Sequence, residues 1–184
     1  MVIMYELEED IIHFVFLAFE GLKRKKEDIS LAFHSIMVGA MLKNIGCDEE
    51  TIYIGYLHDI IEDTKYTYED LLNRYGKKIA DGVLQLSEDK NIEDYVERKK
   101  EFLKRLEQAN DNIIIVEIAD KLQNLISDYD QYLEKGKEFL VIEANNYDEL
   151  KWYYLELKKF FNNRISNNRL LDRYNKIVHE YFEL

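Results

Sequence analysis

The segment GYLHDIIEDT, Gly55 to Thr64, sets two patterns against each other. Gly55, Tyr56, Leu57, Ile60 and Ile61 have the spacing of a helix packed into a core. His58, Asp59, Glu62 and Asp63 put four ionisable groups into six consecutive positions of the same element. Carboxylates are seldom buried unless paired or bound to a cation. If Asp59 and Asp63, one turn apart, were both buried and ionised, they would repel by about 3 kcal/mol at roughly 5 Å and an effective dielectric near 20. A divalent cation removes that penalty, and so does exposure to water.

The surrounding composition is that of a helical protein. The chain has 184 residues, no proline and only 7 glycines, and Leu, Ile, Glu, Lys and Tyr dominate it. This length fits a single all-α domain over residues 1–184 with a sizeable core. The one cysteine, Cys47, has no internal disulfide partner, which suits a reducing compartment. The N-terminal apolar run follows acidic residues and lacks a basic leader, and no stretch approaches the ~20 apolar residues of a membrane span. The expectation is therefore a cytoplasmic protein. A net charge of −12 argues against a general nucleic-acid or membrane-surface role, since both want basic faces. Lys23, Arg24, Lys25 and Lys26 form the longest basic run against that background. On charge alone it reads as a solvated helix end, where cations complement the dipole.

Helices are expected over about residues 8–24, 30–44 (ended by Gly46), 48–64, 67–76, 77–86, 92–108, 110–136, 147–162 and 167–183. Asp48 and Thr67 stand as N-caps, and Asn110 or Asp111 as the start of the long apolar helix. IIIV within that helix has strand propensity, but Ile118, Leu122, Leu125 and Ile126 continue its helical period.

Two of these helices place polar groups among core residues. His34 lies in SLAFHSIMVGAML, and Asp120 lies in IIIVEIADKLQNL, with Asn124 one turn later and Glu117 nearby. Adjacent helical residues do not face the same way. A centre using both His58 and Asp59 therefore lies near a helix end and draws further ligands from other helices, for which His34 and Asp120 are available. Two imidazoles and two carboxylates suit manganese, iron, zinc or magnesium.

His34, the His58–Asp59 dyad and Asp120 resemble the H…HD…D signature of the HD-domain metal-dependent phosphohydrolases. LHDIIEDT followed by YTYEDLLNRYGKKIADGVLQLSED is similar to the hydrolase domain of RelA/SpoT-type proteins, as are KRKKEDISLAFH upstream and VEIADKLQNL downstream. QYLEKGKEF…YDELKWYY resembles the region that closes the small single-domain alarmone hydrolases. The resemblance runs from about Ile11 to about Tyr154, residues 11–154, with residues 163–184 as a helical extension beyond it.

The resemblance implies a manganese ion held by His34, His58, Asp59 and Asp120. It implies that Glu62 and Asp63 work on the attacking water. A bound divalent cation polarises a phosphoryl oxygen and acidifies water, and a nearby carboxylate orients that water or moves its proton. Arg24 and Lys25 match the pair beside the nucleotide base, Lys23 belongs to the same basic entrance, and Asn124 matches a residue that binds the sugar. The activity implied is hydrolysis of the 3′-pyrophosphate of guanosine alarmones (ppGpp and pppGpp) to GDP or GTP and pyrophosphate. A small nucleotide is then the partner, without nucleic acid or membrane. The hydrolase-like region uses nearly all of the length, which leaves no room for a synthetase domain. One departure is clear. The family pattern Pro-Tyr-Ile-x-His-Pro is replaced by Ser30, Leu31, Ala32, Phe33, His34 and Ser35. This leaves open another nucleotide phosphate as substrate, or a helical regulatory module that keeps the metal without turnover.

Overall fold

The structure of the protein, a computed structural model, describes residues 2–24, 28–135 and 147–183. Lys25, expected in the substrate entrance, and Gly136, expected to stop the long helix, lie outside the described residues. The described residues form helices and no strand beyond an isolated bridge, as the all-α expectation requires. The chain divides into two compact units, Met1–Ser87 and Glu88–Leu184. Among the described residues no helix is long and apolar enough to cross a membrane.

The first unit holds α1 (Val2–Ala18), α2 (Leu31–Asn44), α3 (Glu49–Leu57), α4 (Ile60–Asp63), α5 (Tyr68–Tyr75) and α6 (Lys77–Leu86). Side-chain caps set several starts. The Ser30 side chain accepts from Ala32 N–H, Asp48 from Thr51 N–H, and Thr67 with Asp70 forms a reciprocal capping box. Every residue of α3 from Thr51 to Leu57 is buried, so this helix is the centre of the unit. Its closest neighbour is α2, and the crossing is made by two glycines. A Cβ on Gly39 would meet the Tyr56 ring at 2.1 Å, and one on Gly55 would meet Leu42 Cδ1 at 2.3 Å. The two backbones can approach this far only because neither position carries a side chain. Ile11, Phe14 and Val15 form the buried stripe of α1, and buried Phe19 continues it just past the helix end. On its polar side Glu8 accepts from Tyr56 Oη at 3.0 Å and from Lys43 Nζ at 2.7 Å.

The first helix ends earlier than the sequence pattern suggested, at Ala18 rather than near Arg24. Gly21 (φ 76) turns the chain out of it, and Lys23 and Ser30 then form an isolated antiparallel bridge. Arg24 N–H donates to Ile29 O at 2.9 Å and Leu31 N–H to Leu22 O at 3.1 Å, around the Lys23–Ser30 bridge. Lys23 and Arg24 therefore lie beside the antiparallel bridge that precedes α2. The reading of the basic run as a helix end complementing the dipole has no helix end to act on.

The second unit holds α7 (Tyr95–Leu106), α8 (Asp111–Lys135), α9 (Tyr147–Arg164), α10 (Arg169–Val178) and a π-helical turn, His179–Glu183. α7 is shorter than expected because Asp94, whose side chain accepts from Glu97 N–H, caps it there. Asn110 starts α8, its side chain accepting from Ile113 N–H at 3.1 Å. Ile113, Ile114, Val116, Ile118, Ala119, Leu122 and Leu125 of α8 are buried, and the IIIV run is helical. Tertiary burial has overridden its strand propensity. α10 packs on α8 and α9, and buried Tyr174 donates from its hydroxyl to Tyr154 O at 2.9 Å.

Candidate metal centre

The helix carrying the opening segment does not run through it. α3 stops at Leu57, and α4 begins at Ile60. His58 keeps helical torsions (φ −53, ψ −37), but Asp59 moves to φ −91, ψ −2, the bridge region often used by residues at functional sites. This break resolves the difficulty of two adjacent ligands. With the helix interrupted, His58 Nε2 and Asp59 Oδ2 come within 3.1 Å of each other.

His34, on the neighbouring helix, completes a triangle. Its Nε2 lies 3.1 Å from His58 Nε2 and 3.4 Å from Asp59 Oδ2. Both imidazoles are 3% exposed, whereas Asp59 is half-buried. The Gly39–Gly55 crossing explains the meeting, since His34 lies five residues before one glycine and His58 three residues after the other on helices that touch there. His58 Nδ1–H donates to Gly55 O at 2.9 Å, one of the last carbonyls of α3. That bond fixes the ring and makes Nε2 its lone-pair nitrogen, the arrangement common for metal-ligating histidines.

The chemistry of this donor set fits a divalent cation. Two imidazole nitrogens and one carboxylate oxygen are borderline ligands. His34, His58 and Asp59 would hold such an ion through these three atoms, 3.1–3.4 Å apart, and the ion would supply Lewis-acid chemistry there. Glu62 and Asp63 follow on α4, both half-buried. The short helix is pinned by fully buried Ile60, by Asp63 N–H donating to Asp59 O at 2.9 Å, and by Thr64 Oγ1 donating to Ile60 O at 2.7 Å.

In the second unit, Asp120 is 4% exposed on α8 and both its oxygens are engaged. Asn124 Nδ2 donates to Oδ1 at 2.7 Å, and Lys121 Nζ donates to Oδ2 at 2.7 Å. The expected substrate residue Asn124 thus orients Asp120. Glu117, which the pattern could not orient, is 1% exposed, with Oε1 3.4 Å from Lys121 Nζ. Burial pushes its carboxyl up to about 7 against the pull of Lys121. Burial alone would lower the Lys121 ammonium, but Asp120 and then Glu117 hold it well above its ordinary value. Beside them Glu88 pairs with Lys99 and with Arg98 Nε at 3.1 Å. Burial would raise Glu88, yet Lys99, Lys121 and Arg98 hold it below the usual carboxylate range. Buried Tyr153 completes the cluster, with Lys99 Nζ 4.5 Å from its ring centroid. The sequence reading missed Glu117, Lys121, Glu88, Lys99 and Tyr153 as a cluster. The i,i+4 spacing of Glu117 and Lys121 was the available signal.

Lys23 and Arg24 are placed by the bridge that precedes α2. The Lys23 ammonium pairs with Asp28 at the surface, and Arg24 is half-buried.

The family model described as HD domain matches residues 15–138, more than half of the chain, and the protein belongs to that family. Among curated proteins it is similar to the guanosine-3′,5′-bis(diphosphate) 3′-pyrophosphohydrolase of Aquifex aeolicus, 30% identical over 109 residues, 57% of this chain and 15% of that protein. It is also similar to the guanosine-3′,5′-bis(diphosphate) 3′-pyrophosphohydrolase MESH1 of Drosophila melanogaster, 31% identical over 94 residues, 50% of this chain and 52% of that one. The matches thus span about half, or far less, of these relatives' own length. A crystal structure of lmo0812 from Listeria monocytogenes is 28% identical, covers 82% of this chain and 94% of that one, and superposes with a TM-score of 0.73. The structure described as a metazoan ortholog of SpoT that hydrolyzes ppGpp covers 96% of both chains at a TM-score of 0.76 and 21% identity, which establishes the shared fold.

Proposed function

We propose that the protein is a metal-dependent phosphohydrolase that removes the 3′-pyrophosphate of guanosine alarmones, releasing pyrophosphate and GDP or GTP. The observation that carries this reading is the His34–His58–Asp59 triangle of donor atoms, with edges of 3.1–3.4 Å, in a chain of the HD domain family. The names of the relatives supply the substrate class. In this reading His34, His58, Asp59 and Asp120 hold one divalent ion, taken to be manganese. The ion, when bound, supplies a Lewis acid for a phosphoryl oxygen and for water. Glu62 and Asp63, on the rigid turn after the dyad, orient the attacking water and take its proton. Lys23, Arg24 and Lys25 form a local positive entrance for a polyanion approaching a protein of net charge −12. Asn124 acts through Asp120 and on the nucleotide sugar. Residues 1–184 are taken as one HD phosphohydrolase domain working in the cytoplasm, with 163–184 as its helical extension.

The test is direct. Purified protein supplied with manganese and the alarmone releases pyrophosphate, and the Glu62→Ala and His58→Ala variants do not. No release from the native chain would overturn the reading.

One observation favours a second substrate within the same chemistry. The residues before His34 are Ser30, Leu31, Ala32 and Phe33, and Phe33 is 47% exposed at the start of α2. A panel of nucleotide phosphates separates the two, since turnover of another member without alarmone cleavage selects the second.

A further inference from the structure

The cluster on α8 has one ammonium among its nearest carboxylates, and the ammonium is not shared equally. Lys121 Nζ sits 2.7 Å from Asp120 Oδ2 but 3.4 Å from Glu117 Oε1. Glu117 Oε1 is itself buried and has no hydrogen-bond partner among the described residues. All three side chains are withdrawn from water, at 14% exposed for Lys121, 6% for Asp120 and 2% for Glu117. The lysine is thus bonded to one acid and stands less than an ångström from bonding distance to an unsatisfied second one.

We propose that Lys121 is a positioning residue that serves as the stand-in cation of the centre, holding Asp120 until a divalent ion claims it, and that Glu117 Oε1 receives the displaced ammonium. This rests on the reading of Asp120 as a metal ligand. An ammonium bonded to Asp120 Oδ2 and a divalent cation close to the same carboxylate repel each other, so the ion weakens the Lys121–Asp120 bond. The helix supplies the alternative partner, because Glu117 and Lys121 lie on one face at i,i+4. Asn124 keeps its bond to Oδ1, so the carboxylate does not rotate as the lysine leaves. Glu88 and the Tyr153 ring lie in the same cluster but are engaged by Lys99, which leaves Glu117 as the receiver.

By linkage, whatever the ion must displace weakens it, and whatever receives the displaced group strengthens it. Manganese affinity is measured by titration calorimetry on the full chain stripped of metal, at pH 8, where Glu117 is ionised. Lys121→Met binds manganese about tenfold more tightly than the native chain, and Glu117→Gln binds it about tenfold more weakly, the scale typical of residues that orient a ligand. Asp120→Asn loses a hundredfold or more. These opposite shifts are what a merely structural salt bridge would not produce. Native affinity in both Lys121→Met and Glu117→Gln, or weaker binding by Lys121→Met, overturns the proposal while a loss in Asp120→Asn upholds Asp120 as a ligand. Native affinity in Asp120→Asn overturns that underlying reading as well. Should Lys121→Met fail to fold, the isosteric Glu117→Gln decides, with weaker binding in favour and native affinity against.

Discussion

The turn after α3 and the middle of α8 both bring carboxylate chemistry into the interior, and they surround it with different partners. At the turn, Asp59 is surrounded by other electron-pair donors, the Nε2 atoms of His34 and His58 at 3.4 and 3.1 Å. On α8, Asp120 and Glu117 bring their own cation in Lys121. The first arrangement sets a carboxylate between two imidazole nitrogens, whereas the second sets two carboxylates around an ammonium. A group of like donors facing one another has the chemistry of a cation site, and a mixed group that of an ion pair.

The largest effect is expected where the comparison is sharpest. His34→Ala removes one corner of the triangle, so manganese affinity falls a hundredfold or more and pyrophosphate release is lost. The melting temperature of the metal-free protein stays within a few degrees of native. A collapse of the metal-free fold would break the comparison, because it would make the triangle structural.

The next test moves to α8. The Glu117 carboxyl stands at about 7 in the folded protein, above its ordinary 4.5, so the folded state binds more protons than the unfolded state between these values. Stability from this group is highest below about pH 4.5 and falls as pH rises towards 7, by on the order of 3 kcal/mol. Glu117→Gln removes the dependence. In metal-free protein its gain over the native chain is present at pH 8 and absent at pH 4, measured by denaturant unfolding at both. An equal gain at both values would contradict the burial argument.

Smaller effects calibrate the scaffold. Gly39→Ala drives a methyl into the Tyr56 ring and costs about 2–3 kcal/mol, with weaker manganese binding because His34 moves with α2. Gly55→Ala meets the flexible end of Leu42 and costs about 1 kcal/mol. Thr67→Ala, in a capping box outside both clusters, lowers stability by about 1 kcal/mol and leaves metal affinity untouched. Urea unfolding with parallel metal titration ranks the three.

Much of this was legible in the string. The caps Asp48, Thr67, Asn110 and the all-helical pattern follow from local chemistry that the sequence displays directly. The sequence also offered His34, with Asp120, as a partner for His58 and Asp59, because polar residues in apolar helices demand partners, and the His34, His58 and Asp59 donor atoms lie 3.1–3.4 Å apart. The helix break between His58 and Asp59 was not, since no glycine or proline marks it and only tertiary packing selects it. The early end of α1 was hidden by a run of residues that suit a helix equally well, where a bridge held by backbone bonds won. The α8 cluster was hidden because Glu117 and Lys121 look like any surface i,i+4 pair until burial is known.

The glycine crossing of α2 and α3 has a consequence for how such a protein can change. Contact between two main chains sets the spacing of the histidine rings, and main chains do not vary with sequence as side chains do. Leu22 to Arg24 and Asp28 to Ser30 lie before α2, and Leu31 to Phe33 form its first turn, upstream of that contact. Substitutions there, such as those at Ser30 to Phe33, leave the contact between the two main chains in place.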